Sequence, residues 1–167
     1  MNEPTFYESS EAAAAELATR EKINKASKLL NNSRWFANFM GRTQRQALLE
    51  SLRGEEAEGI ADLVINVAAR IEGTPVTYST EDVKSEDKVL HLHYYKGGID
   101  AWIVERDVGD ESSGDGKGVQ RQAYGKITVF NDGFNGAEWG YVSIEDLIKN
   151  GVSLDLYWTP RTCKEMK

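Results

Sequence analysis

His91 and His93 are the only histidines in the chain, and they stand two residues apart in a run of alternating character. On a β-strand, positions i and i+2 share a face. The pair therefore has usable spacing for two imidazole ligands of a metal. A third ligand has to come from a neighbouring strand, and Asp100 or Asp107 is the candidate. No cluster of Cys or His supports the pair, and a short His-x-His is a weak motif without confirmed geometry. The expectation is two half-buried or surface histidines on a strand face, with no metal and no cofactor. Carboxylates crowd the following stretch: Glu105, Asp107, Asp110, Glu111 and Asp115. General acid–base work needs two of them at fixed separation with displaced proton affinities. The Gly- and Ser-rich segment that carries them points to solvation instead. Its order of oxygen ligands does not match a calcium loop, and Gly114-Asp-Gly-Lys-Gly lacks the spacing and hydroxyl of a P-loop. The single cysteine, Cys163, sits close to the last residue and makes a poor nucleophile. No Gly-x-Ser-x-Gly is present.

The chain has 167 residues and a formal net charge of −7. Its length fits one ordinary domain. No apolar run reaches the roughly 20 residues that span a bilayer, and residues 1–10 do not resemble a secretory leader. One cysteine cannot pair within the chain, which fits a reducing compartment. A cytoplasmic protein is expected. The charge is uneven: Arg20, Lys22, Lys25, Lys28, Arg34, Arg42 and Arg45 face a single acid, Glu21, between residues 20 and 45. This predicts a basic face on an otherwise acidic molecule. The acidic balance argues against duplex binding, which leans on many phosphate contacts.

The elements that must position these groups can be read from periodicity. Alanines and early acids predict a helix over residues 10–30. Trp35, Phe36, Phe39 and Met40 suit a further helical turn, with core packing as the default for such a cluster and an interface as the alternative. A helix over residues 43–52 follows. Ala57, Ile60, Ala61, Val64, Val67, Ala68 and Ile71 recur at helical intervals, and Gly73 and Pro75 end that helix. Residues 77–87 read as a polar, acidic linker. From residue 88 the period changes to two, with Val89, His91, His93 and Tyr95 on one side. A hairpin is expected at Lys96-Gly97-Gly98, a second strand over 99–107, and a third over 119–130, interrupted at Gly125. Ser143 with Asp146 resembles a capping box for a short helix through Lys149, with Gly151 beyond it. Residues 152–158 suit an edge strand. The expected class is α+β: N-terminal helices against a small antiparallel sheet of three to five strands and one short C-terminal helix. The expected division is a helical extension over 1–42 and an α+β domain over 43–167, with helices at 43–72 and the sheet and short helix at 88–160. Trp102, Tyr124, Trp139, Tyr141, Tyr157 and Trp158 make the strand half rich in aromatics. Stacking platforms for single-stranded nucleic acid use such residues in a basic groove. Here their neighbours are mostly acidic.

Residues 89–160 resemble an uncharacterised domain common in accessory proteins of conjugative plasmids and integrative elements. The resemblance rests on His91-Leu-His-Tyr-Tyr, on Gly97-Gly98 with Asp100 and Trp102, and on Gln122-Ala-Tyr-Gly125. It rests also on Glu138-Trp-Gly-Tyr-Val-Ser-Ile-Glu145 and Leu154-Asp-Leu-Tyr-Trp-Thr-Pro160. Residues 48–75 look like what precedes that domain. The resemblance implies an accessory protein of a mobile genetic element. Small acidic proteins of such elements counter host defence, including CRISPR and restriction complexes, and act by binding.

The expected function is therefore a non-enzymatic binding protein of the anti-CRISPR type. Its partner would be a host protein or ribonucleoprotein complex such as a CRISPR-Cas subunit, with no membrane and no direct nucleic-acid contact. Lys22, Lys25, Lys28, Arg34, Trp35, Phe36 and Phe39 would form one contact, and Glu105, Asp107, Asp110 and Glu111 the other. The alternatives are a metal-dependent hydrolase or nuclease using His91 and His93, and a structural module of the conjugation machinery.

Overall fold

A computed structural model describes residues 6–32, 34–109 and 118–166. The architecture is α+β. Four helical segments come first: α1 (Phe6–Asn32), α2 (Arg34–Ala37), α3 (Arg42–Ser51) and α4 (Ala57–Gly73). The strands β1 (Val89–Leu90), β2 (Leu92–Lys96), β3 (Ile99–Glu105) and β4 (Ala123–Thr128) follow. After them come the turn α5 (Gly133–Gly136), β5 (Glu138–Val142), α6 (Ile144–Lys149), β6 (Ser153–Leu154), β7 (Arg161–Thr162) and a closing 3-10 turn, Cys163–Met166. Among the described residues, no helix is long and apolar enough to cross a membrane.

The main sheet is antiparallel in the order β5-β4-β3-β2-β6. Lys96 pairs with Ile99, so Gly97 and Gly98 form the expected two-residue turn, with Gly97 at φ 56°. A second, two-stranded sheet joins β1 to β7 and pairs Val89 with Thr162. β5 is a strand that periodicity did not reveal. Gly125 does not interrupt β4. It faces the β3 backbone so closely that a Cβ would collide with the carbonyl oxygen of Trp102.

One face of the main sheet is covered by helices. Leu92 and Tyr94 of β2 and Ala101 and Ile103 of β3 pack there with Ala61, Val64, Val67, Ala68 and Ile71 of α4. Ile144 and Leu147 of α6 join them. α6 opens as expected, with the Ser143 hydroxyl accepting from the Asp146 amide at 3.1 Å. The expected boundary at residue 42 is not a seam in this core. Ala26, Leu30, Phe36, Phe39 and Met40 are buried in the same cluster, and the Tyr94 hydroxyl donates to the Phe39 carbonyl at 2.8 Å. Only the early part of α1 stands clear, with residues 11–18 exposed. Those turns are helical through alanine propensity rather than packing.

The opposite face of the sheet is aromatic. Across β5, β4, β3 and β2, register aligns Trp139 with Lys126, Lys126 with Trp102, and Trp102 with His93. A second core closes over part of this face, where Leu90, Trp102, Val104, Ala137 and Cys163 are buried against Phe134, Trp158 and Met166. The segment from residue 155 to 166 thus lies as a strap across the sheet. Arg70 of α4 fixes it, donating to the carbonyls of Trp158 and, at 2.7 Å, of Leu156.

Candidate binding surface

A concavity lies at the end of the aromatic face where β3 meets the loop after α4. Its construction begins with a bulge. Ile103 pairs with Gly125, but the next partner of β4, Tyr124, pairs with Glu105, so Val104 is the extra residue. A bulge re-aims side chains. Here it carries Glu105 to the aromatic side of the sheet beside Tyr124. The residue is 3% exposed. It accepts from the amides of Tyr78 and Thr80, each at 2.8 Å, and from the Thr80 hydroxyl. Lys88, 8% exposed, donates to the Thr80 carbonyl and, at 2.9 Å, to its hydroxyl. A buried cation and a buried anion are thereby joined through one threonine, as buried charges require. Residues 77–87 are consequently no loose linker. They are tied to the end of β3, where the Thr77 amide also donates to the Arg106 carbonyl at 2.9 Å.

Three tyrosines stand around these charges. Tyr78 is held at φ 74°, a conformation that side-chain-bearing residues rarely adopt. Its hydroxyl accepts from the Tyr141 hydroxyl at 3.0 Å. The Tyr141 ring meets Tyr78 at 72° and Tyr124 at 67°, with centroids 6.4 and 6.0 Å away. With Thr77, Glu81, Val83, Ser85, Lys88 and Glu105 they enclose about 400 Å3. This is within the usual span of ligand pockets, roughly 300–1,000 Å3. Glu81 lines it, the adjoining loop exposes Asp82 and Glu86 beside a single lysine, Lys84, and Tyr78 and Tyr141 are large aromatics left open to solvent. The Tyr78 hydrogen bond, partial desolvation and the negative field of Glu81 and Glu105 hold the Tyr141 phenol above its ordinary proton affinity.

The residues singled out in the sequence do not form one surface. Lys22 is engaged by α4, 3.2 Å from Asp62 and 3.3 Å from Glu58, so part of the basic face is neutralised internally. Lys25 and Lys28 are exposed on α1, and Arg34 opens α2. Trp35 is half-buried, edge-on to Phe36. Phe36 and Phe39 correct the expected contact: both have no exposed surface and belong to the core. Glu105 is likewise buried rather than displayed. Asp107 folds back on its own loop, accepting from the amides of Gly109, Arg121 and Gln122 at 3.1, 3.1 and 2.9 Å. Asp110 and Glu111 lie outside the described residues.

The two histidines part company. Leu92 and Tyr94 face the helices, whereas Leu90 is buried in the aromatic-face core, so the alternation changes phase at His91. His91 lines a groove of about 700 Å3 between α4 and the strap, and burial lowers its proton affinity. His93 lies between two acids, with Nε2 2.9 Å from Asp100 and Nδ1 3.1 Å from Asp155. It stacks on Trp102 and Tyr95. Each of its nitrogens thus has a carboxylate within hydrogen-bonding distance. Among the described residues, no group of three or more His, Cys, Asp or Glu side chains could hold a metal ion. Cys163 is buried, and desolvation raises its thiol, which makes it a poor nucleophile.

Sequence reasoning passed over Tyr78 and Lys88. A signal for Tyr124 and Tyr141 was present, because each sits two positions from a partner on the same face, Lys126 and Trp139. Comparison with known proteins found no matching family model, no matching curated protein and no matching solved structure.

Proposed function

We propose that this chain is a binding protein of a mobile genetic element that inhibits or remodels a host defence nucleoprotein complex, of which a CRISPR-Cas complex is the leading candidate. The observation that carries the reading is the open tyrosine pair, Tyr78 and Tyr141, 59% and 55% exposed, beside the acidic run at 81–87. Exposed tyrosines on a rigid frame are common anchors of protein interfaces. Carboxylates around them direct the surface to a positively charged partner and repel nucleic acid. A protein groove that holds nucleic acid is such a partner. Lys25 and Lys28 on α1 supply a separate contact of opposite sign.

The test is a plasmid-survival assay in cells with an active CRISPR-Cas system, joined to co-purification of the tagged chain with the defence complex. Survival should rise and a defence subunit should be recovered. Tyr141→Ala or charge reversal at Lys25 should reduce both while leaving the circular-dichroism melt unchanged. Unchanged survival together with no recovered subunit would overturn the reading.

A further inference from the structure

We propose that the cavity lined by Tyr78, Tyr124 and Tyr141 seats a cationic side chain of the partner, a guanidinium or ammonium group held against the rings. This rests on the reading of the chain as a binder of a basic protein surface.

The rings supply the first argument. Tyr141 stands at 72° and 67° to its two neighbours, so the three present walls rather than a stack. Aromatic faces carry the negative lobe of the ring quadrupole, and walls of this kind select cations. The same sheet face already uses its rings in this way. Lys126 Nζ lies 4.2 Å from the Phe134 centroid, and the Arg161 guanidinium carbon 4.6 Å from that of Trp158. Inside the cavity, Lys88 Nζ stands 6.0 Å from the Tyr124 centroid. One cation therefore occupies the rear wall, while Tyr78 and Tyr141 remain open at the mouth.

Charge supplies the second argument. The lining holds Glu81, Glu105 and Lys88. Glu105 and Lys88 are linked through Thr80, which leaves Glu81 as the uncompensated charge of the lining. An incoming anion would face that carboxylate at the mouth, and Lys88 has already committed donors to the Thr80 carbonyl and hydroxyl. A cation finds Glu81 as its acceptor and two open rings.

Rigidity supplies the third. Hydrogen bonds donated by the Tyr78 and Thr80 amides to the Glu105 carboxylate fix the 78–80 turn, and the Tyr141 hydroxyl, donating to that of Tyr78, fixes the rim. Little ordering remains to oppose binding.

The test uses the full chain and three capped amino acids, N-acetyl-arginine methylamide, its lysine counterpart and its glutamate counterpart, titrated at low salt while tyrosine ring resonances are followed by NMR. Saturable shifts of Tyr78, Tyr124 and Tyr141 with the arginine or lysine compound support the site, and the tighter of the two identifies the group. Tyr141→Ala and Glu81→Gln should each weaken binding by about tenfold. Tyr141→Phe, which keeps the ring and loses the hydroxyl bond to Tyr78, should bind more tightly than Tyr141→Ala and more weakly than the parent chain. Absence of saturable shifts with both cationic compounds, or tighter binding of the glutamate compound, overturns the proposal. If the cationic compounds bind and no defence subunit is recovered from host cells, the cavity stands and the assignment to host defence falls. If a subunit is recovered equally by the parent chain and by Tyr141→Ala, the cavity falls and the partner assignment stands.

Discussion

At the residue scale, His93 is the side chain with the most to lose. Its ring nitrogens meet Asp100 and Asp155, and its faces meet Trp102 and Tyr95. His93→Ala should leave two half-buried carboxylates without their partner and cost about 2 kcal/mol, read from urea denaturation. An unchanged midpoint would show that water replaces the imidazole without loss. His91 gives a pH signature instead. Burial places its folded-state proton affinity below the ordinary value of 6.5, so the unfolded chain binds a proton first as pH falls. Its contribution is intact above about pH 6.5 and declines below it. His91→Asn should flatten the fall of the thermal midpoint between pH 7 and pH 5, and an unaltered slope would place the acid sensitivity elsewhere. The pairing of the two histidines was visible in the sequence and their divergence was not. Strand alternation assumes one unbroken ladder, and the phase change at His91 reflects competition for Leu90 between two sheets.

At the element scale, packing decides what periodicity leaves open. α4 was legible because five of its apolar positions are buried on one stripe. The hairpin and α6 were legible because Gly97 and Ser143 carry turn and cap chemistry. β5 was missed because Glu138-Trp-Gly-Tyr-Val is short and lies at an edge, where its burial does not alternate. The β1–β7 pair was missed because a contact between residues 89 and 162 leaves no local trace. The bulge at Val104 was equally silent, and with it the inward turn of Glu105 that builds the candidate site. Two substitutions test the elements. Gly125→Ala should push β3 and β4 apart and cost about 3 kcal/mol in a denaturant titration. Leu30→Ala removes a core side chain of α1 and should cost about 2–5 kcal/mol. A fragment spanning 43–167 should accordingly fail to give a cooperative melt; a sharp transition in that fragment would restore the two-part division.

At the scale of the whole molecule, the net charge of −7 is distributed so that acids on α4 hold a lysine of α1 and Lys164 holds Asp87, while Glu81, Asp82 and Glu86 are exposed. Association with a basic partner should then be steered from a distance. The association rate is expected to fall by about tenfold between low and physiological ionic strength in stopped-flow measurements. A flat salt profile would show that contacts other than charge govern encounter. The strap has a different consequence, one of timing. Trp158 covers His93 and donates to the Leu90 carbonyl at 2.9 Å, and the ribosome delivers it after both of them. A nonsense codon upstream of it would release a polypeptide with Leu90 and Trp102 laid bare, a greasy flag by which chaperones and proteases could tell a broken copy from a finished one.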